Sequence, residues 1–276
     1  MDYLVATLPI IPLFATFIIG IMDVSGLMDK QASEQLTVNI ALGACVLAIL
    51  IACILLLNTP AEPASIIFSL NNWLVSEQLN VSFSFFAYGF RVQLATFFLV
   101  LVLLIIRFSR LYMHRETGFH RFFALLCFFN FAFLMLLLSA NLVGTFIGWV
   151  SSSLCAYFLI ALPYHHQDAT INANRAFITN RIGDAGFILG MGLCFSWLGS
   201  IDWKELTQLA SDLEPSEANL MALCFATAAF ARSAQIPFSP WLARAMEGPI
   251  PVSALLFGAV FIHTGVILLI LLQPLF

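Results

Sequence analysis

Apolar residues run along this chain in long blocks with few polar interruptions. The blocks cover about Tyr3–Ile21, Leu36–Leu57, Phe86–Ile106, Phe122–Leu138, Leu142–Leu162, Asn174–Leu198, Leu220–Phe230 with its continuation, and Val252–Leu272. Most approach the roughly 20 residues that an α-helix needs to cross the hydrocarbon core. A helix that is apolar all round belongs in lipid or a large core, not on a wetted surface. The pattern predicts an all-α polytopic membrane protein of about eight transmembrane helices. The links carry their own signals. Residues 22–34 are polar, with Asp23, Asp29 and Lys30. Residues 58–82 hold Pro60, Pro63, Asn71-Asn72 and two β-prone pieces, SIIFSL and LNVSFSF, which predict an extended or hairpin segment. The short link Ser139–Asn141 makes predicted helices 4 and 5 antiparallel neighbours, and Pro163 ends helix 5. His165 and His166 are adjacent, so they point different ways and are expected to cap a loop. Arg91, near the start of helix 3, is expected at the membrane interface.

The deepest disturbance of the pattern is at residues 229–256, AFARSAQIPFSPWLARAMEGPIPVSALL counted from Ala229. A lone charge, Arg232, precedes Gln235, Pro237 and Pro240. A short amphipathic piece, Trp241–Glu247, follows, and then Pro249 and Pro251. Each proline lacks an N–H and clashes with the preceding turn, so helix 7 should break between Gln235 and Pro240. A bilayer tolerates such a break only where protein or a water-filled cavity satisfies the freed groups, and broken helices at mid-membrane point to ion paths. Arg232 either snorkels from a helix end or sits inside the bundle with a partner, Asp184 first and backbone carbonyls of the break second.

Composition sharpens this picture. The 276 residues are 61% hydrophobic and 9% charged, against roughly 25% charged in soluble domains. Basic residues are few and not interleaved with aromatics, which excludes a nucleic-acid binder. The six cysteines lie within apolar runs without a CxxC and read as small buried hydrophobes. The five histidines show no zinc spacing and no redox-cofactor motif is present, so no catalytic, cofactor or metal residues are assigned to this chain. The N-terminus lacks a basic leader and reads as a retained first helix. Arg107, Arg110, Arg115 and Arg121 follow helix 3, Arg175 and Arg181 follow helix 5, and Arg244 follows helix 7. The positive-inside rule therefore puts those loops in the cytoplasm and both termini outside, on the periplasmic side of a bacterial inner membrane.

Four stretches carry a family resemblance: MHRETGFHRFFALL, FIGWVSSSLCAYFLIALPY, NRAFITNRIGDAGF and RSAQIPFSPWLARAMEGPIPVSALL. In order and spacing the chain resembles the antiporter-like membrane subunits of respiratory complex I, subunit L, and of Mrp-type cation antiporters. The resemblance implies two inverted five-helix repeats, each with a broken helix. Residues 1–120 would hold helices 1–3 and a surface loop. Residues 121–276 would hold helices 4–8 as the first repeat, with the second repeat absent and at most half an ion path present.

The chain departs from the family at three points. The family's Gly-Trp-Glu is Gly148-Trp149-Val150 here, and the lysine of its Lys-Ser-Ala-Gln is Arg232. A helix 8 histidine common in the family corresponds to Phe257, with His263 almost two turns on. Lysine can lose its proton when buried, but arginine stays charged. Arg181 and Asp184 share a face at i,i+3 as a charge relay or, the favoured reading, a fixed pair. Arg232, Asp184 and Glu247 are candidates for one polar network. Ser151, Ser152 and Ser153 place hydroxyls near the missing carboxylate, either lining water or packing helices.

The RAMEGP run, the HRETGFHRFF loop and the carboxylate-free helix 5 resemble subunit-L-like proteins paired with DabA-type inorganic-carbon proteins. The resemblance implies zinc on that partner, not on this chain. Three readings result: the membrane subunit of such a carbon-uptake complex, a proton- or sodium-translocating complex I or Mrp subunit, or a non-conducting anchor for a soluble partner. Each requires membrane lipid and at least one further protein, either a soluble DabA-like zinc protein or other antiporter-like membrane subunits.

Overall fold

The computed structural model describes residues 2–25, 30–58, 66–75, 80–163 and 165–275. The chain is an integral membrane protein built almost wholly of helices. Its helices are α1 (Asp2–Ser25), α2 (Lys30–Asn58), α3 (Gly89–Tyr112), α4 (Phe119–Leu138), α5 (Leu142–Ile160), α6 (Gln167–Leu198), α7 (Trp203–Leu209), α8 (Pro215–Arg232), α9 (Pro240–Arg244), α10 (Ile250–Ser253) and α11 (His263–Leu272). Among the described residues, six spans are long and apolar enough to cross a membrane: α1, residues 32–58 of α2, α3, α4, α5, and the segment Ile250–Leu275. The other two predicted crossings are α6 and α8. They are less apolar because they carry small residues where they pack together and buried charges, Asp184 and Arg232, that turn toward Trp149 of α5.

The central element is α4, 72% of whose span is buried. It packs against α1, α2, α3 and α5. Its contact with α5 is backbone-close: a Cβ on Gly148 would lie 2.4 Å from the Leu136 nitrogen and 2.5 Å from the Ala132 oxygen. Only glycine allows that approach, which seats Trp149 deep in the bundle. The α6–α8 pair uses the same device. A Cβ on Gly183 would meet Ala231 at 2.8 Å, and one on Gly186 would meet the Cys224 carbonyl at 2.7 Å. Small residues give transmembrane helices their closest packing, because lipid supplies no hydrophobic drive to association.

The predicted surface segment is an antiparallel hairpin, β1 (Ile66–Val75) with β2 (Asn80–Ala87), in which Ile66 faces Ala87 and Ser69 faces Ser84. Asp29, Pro60 and Pro63, part of the links named above, lie outside the described residues. Several predicted boundaries move. β2 runs to Ala87, so α3 starts at Gly89 and not at Phe86. α6 starts seven residues before Asn174, at Gln167, with His166 at its N-cap position but making no side-chain cap bond. The acidic link after α6 contains α7, whose buried Trp203 and Leu206 dock it on the bundle. The pattern predicts one helix over Val252–Leu272, but α10 instead passes into a π-helical turn, Ala254–Ala259, before a break and α11. No proline marks that break. It turns Phe261 inward, fully buried.

Arg91, expected at the interface, is 4% exposed. It donates to the carbonyls of Leu137 (3.2 Å) and Ser139 (2.9 Å) at the C-terminus of α4. Those unpaired carbonyls and the negative helix end favour a cation.

Candidate functional site

The first helical break follows from sequence chemistry. α8 ends at Arg232, residues 233–239 turn, and Pro240 begins α9. The freed groups are satisfied within the protein. The Gln235 N–H donates to Phe230 O at 2.9 Å, Trp241 Nε1 donates to Ala231 O at 2.9 Å, and the Ser233 hydroxyl donates to Ile262 O at 3.0 Å. The last of these ties the α8 break to the break before α11. Ala234 closes α8 with a left-handed φ of 53°.

Arg232 lies between the two breaks and is 1% exposed. It does not snorkel. Its guanidinium sits over the Trp149 ring at 4.1 Å and the Phe261 ring at 4.4 Å. One amino group donates to the Trp149 carbonyl at 2.7 Å and the other to the Ser152 hydroxyl at 3.3 Å. A desolvated cation between two aromatic faces is held by their quadrupoles, and arginine's planar fork suits this place better than an ammonium.

Asp184, the first partner expected for Arg232, is engaged elsewhere. It forms an ion pair with Arg181 at 2.5 Å and accepts a hydrogen bond from Trp149 Nε1 at 2.8 Å. Their i,i+3 spacing on α6 makes Arg181 the nearer cation, while the Trp149 indole fills the space toward Arg232. The backbone carbonyl that does bind Arg232 comes from α5, not from the helix break. Arg232 and Asp184 are therefore linked through Trp149, whose ring and carbonyl hold Arg232 and whose N–H holds Asp184. Arg181 also lies over the Phe177 ring at 4.6 Å.

The three serines separate. Ser152 donates to the Trp149 carbonyl at 2.7 Å while accepting from Arg232, and Ser153 bonds to the same carbonyl at 3.4 Å. Ser151, on another face of α5, is half-buried and outside this network. Val150 packs against the apolar core. Glu247 is exposed on the turn after α9, whereas Arg232 is enclosed. His263 is exposed as well and meets the Phe98 ring at 6.3 Å. It starts α11 facing outward, so neither Glu247 nor His263 joins the network. Gln235, Pro237 and Pro240 are exposed and shape the turn. Among the described residues no cluster of three His, Cys, Asp or Glu side chains is placed to hold a metal ion.

Sequence reasoning missed Phe261, Asn180 and the linking role of Trp149. Asn180 is 5% exposed and donates to Ala176 O at 2.9 Å, while its Oδ1 has no protein partner among the described residues. The same holds for Nε of Arg232. The signal for Trp149 was present in Gly148-Trp149. Phe261 had none, since nothing in the sequence marks the second break.

Comparison with known proteins fits this architecture. The family described as NADH:quinone oxidoreductase/Mrp antiporter, TM, matches residues 139–276. The chain is 38% identical over 204 residues to NADH-quinone oxidoreductase subunit L of Campylobacter jejuni, covering 71% of this chain and 34% of that one. It is 34% identical over 275 residues to subunit L of Rhodobacter capsulatus, covering 92% of this chain and 38% of that protein. It thus spans little more than a third of the length of these relatives. The solved Mrp complex of a Dietzia species shares the fold, with a TM-score of 0.79 at 23% identity over 98% of this chain and 28% of that one. The chain belongs to the NADH:quinone oxidoreductase/Mrp antiporter family of transmembrane proteins.

Proposed function

We propose that this chain serves as an antiporter-like membrane subunit of a proton- or cation-translocating complex, in which Arg232 supplies a fixed positive field instead of carrying the proton. One observation carries this reading: Arg232 is fully enclosed at a double helix break, with aromatic faces and neutral oxygens as its direct partners. A buried charge that the fold keeps without a directly bound carboxylate is a functional feature first. An arginine there cannot exchange protons, and Val150 offers no acceptor opposite it. Proton exchange must then use other groups, with Asp184 the nearest carboxylate in the linked network.

The relatives' names, oxidoreductase subunit L and Mrp complex, support assembly with further membrane subunits. They favour the translocating reading over pairing with a DabA-type inorganic-carbon protein. That pairing draws its support from Val150 and the RAMEGP run, and any zinc would sit on the partner. We place the arginine-rich ends of α3 and α6 on the cytoplasmic side by the positive-inside rule.

The test is to purify the chain with its partners from native membranes, identify them, and reconstitute the assembly with Arg232→Lys. The field reading expects the coupled flux to acquire a new pH dependence, because lysine can discharge. Unchanged coupling at every pH would assign the chain to anchoring, and co-purification of a soluble zinc protein in place of membrane subunits would favour the carbon-uptake reading.

A further inference from the structure

At the hairpin end of the bundle, a cleft of about 490 Å³ opens between the start of α3, α7 and the end of α11. Its floor is the Arg91 guanidinium, 4% exposed and held between the Phe86 ring at 5.2 Å and the Trp203 ring at 4.9 Å. Exposed Lys204 stands on its rim. Among the described residues lining the cleft there is no carboxylate, and neither cation makes an ion pair. The α4 carbonyls that Arg91 binds offset roughly half a charge. However, Arg91 also lies in the first turn of α3, where the positive helix end repels a cation and attracts an anion. The remaining wall is mixed: Tyr88, Thr207 and Gln273 add polar groups, while Phe90 and Ile270, 39% and 45% exposed, give it an apolar side along α3 and α11. A buried cation from the start of α3, an exposed one from α7, aromatic rings beside them and an apolar side wall match an amphiphile whose head is an anion.

We propose that this cleft binds an anionic phospholipid, its phosphate between Arg91 and Lys204 and an acyl chain along Phe90 and Ile270. Such a lipid compensates the buried guanidinium and braces α7 against α3 and α11. The site is separate from the Arg232 network and does not depend on the translocating reading.

The full chain, purified in mild detergent, is placed in phosphatidylcholine nanodiscs with or without a minor fraction of phosphatidylglycerol, and retained lipid is counted by native mass spectrometry. Selective retention of phosphatidylglycerol is expected, with Lys204→Gln weakening it about fivefold, the worth of one basic residue near an anionic head group. Lys204 is exposed, so this variant keeps the fold even where an Arg91 variant does not. Equal retention of both lipids, or undiminished retention in Lys204→Gln, overturns the proposal. Inorganic phosphate added to the lipid-free protein should not raise its melting temperature. A rise matching that given by phosphatidylglycerol would assign the site to free phosphate and overturn the lipid assignment.

Discussion

Replacing Arg232 with methionine separates a charge kept for function from one kept for stability. The substitution removes a bond to the Trp149 carbonyl of 2.7 Å and a longer one to Ser152. Together they are worth about 2–4 kcal/mol, given the charge on the donor. It also removes two ring contacts, at 4.1 and 4.4 Å, worth about 1–2 kcal/mol each when desolvated. Against these stands the desolvation of a buried cation, several kcal/mol, with an Nε that finds no protein partner. The opposing terms nearly cancel, so Arg232→Met should change stability by no more than about 2 kcal/mol in either direction. Had Arg232 been the direct partner of Asp184, its loss would strand a buried carboxylate at a cost of about 3–5 kcal/mol. Asp184 instead keeps Arg181 and the Trp149 N–H. Equilibrium unfolding in mixed detergent, followed by far-UV circular dichroism, measures the difference, and a cycle with Asp184→Asn measures their coupling. A loss above about 4 kcal/mol, or a comparable coupling energy, would refute the separation of the two charges. Coupled transport in the assembled complex should nevertheless fall sharply, because the neutral variant removes the field.

Trp149→Phe keeps a ring beneath Arg232 but deletes the donor to Asp184, and should cost about 1.5–3 kcal/mol in the same unfolding assay. Gly148→Ala would push a methyl into the backbone of α4, so the helices must part. A loss of about 1–3 kcal/mol or more is expected, read as a lower melting temperature in detergent. Burial, and then nearby Glu205, raise the Asp202 carboxyl above its ordinary range. Its charged form is therefore disfavoured in the folded protein, and it weakens the fold at pH values above that range. Asp202→Asn should stabilise the protein at neutral pH, and the advantage should vanish as pH falls through the carboxylate range, checked by melting temperatures across pH.

The apolar blocks alone determined a helical membrane bundle, because spanning a hydrocarbon layer needs about 20 apolar residues with every backbone group bonded internally. Pro237 and Pro240 likewise determined the break after Arg232, since missing donors and ring clashes act locally. The hairpin at Ile66–Ala87 was readable from its β-prone pieces and the Pro/Asn-rich links around them. Tertiary structure decided what no local rule reaches. The second break lacks a proline, and it forms where Phe261 closes over a guanidinium from another helix. The choice of Asp184 for Arg181 over Arg232 depended on a tryptophan from α5, brought within reach by the bare surface of Gly148. That Arg91 is buried and held by the carbonyls ending α4 likewise depended on packing between distant helices. Helix formation and helix breaking are settled within a few residues. Charge pairing in a low-dielectric interior is settled by whichever groups the packing brings within about 4 Å, and only the folded chain determines those.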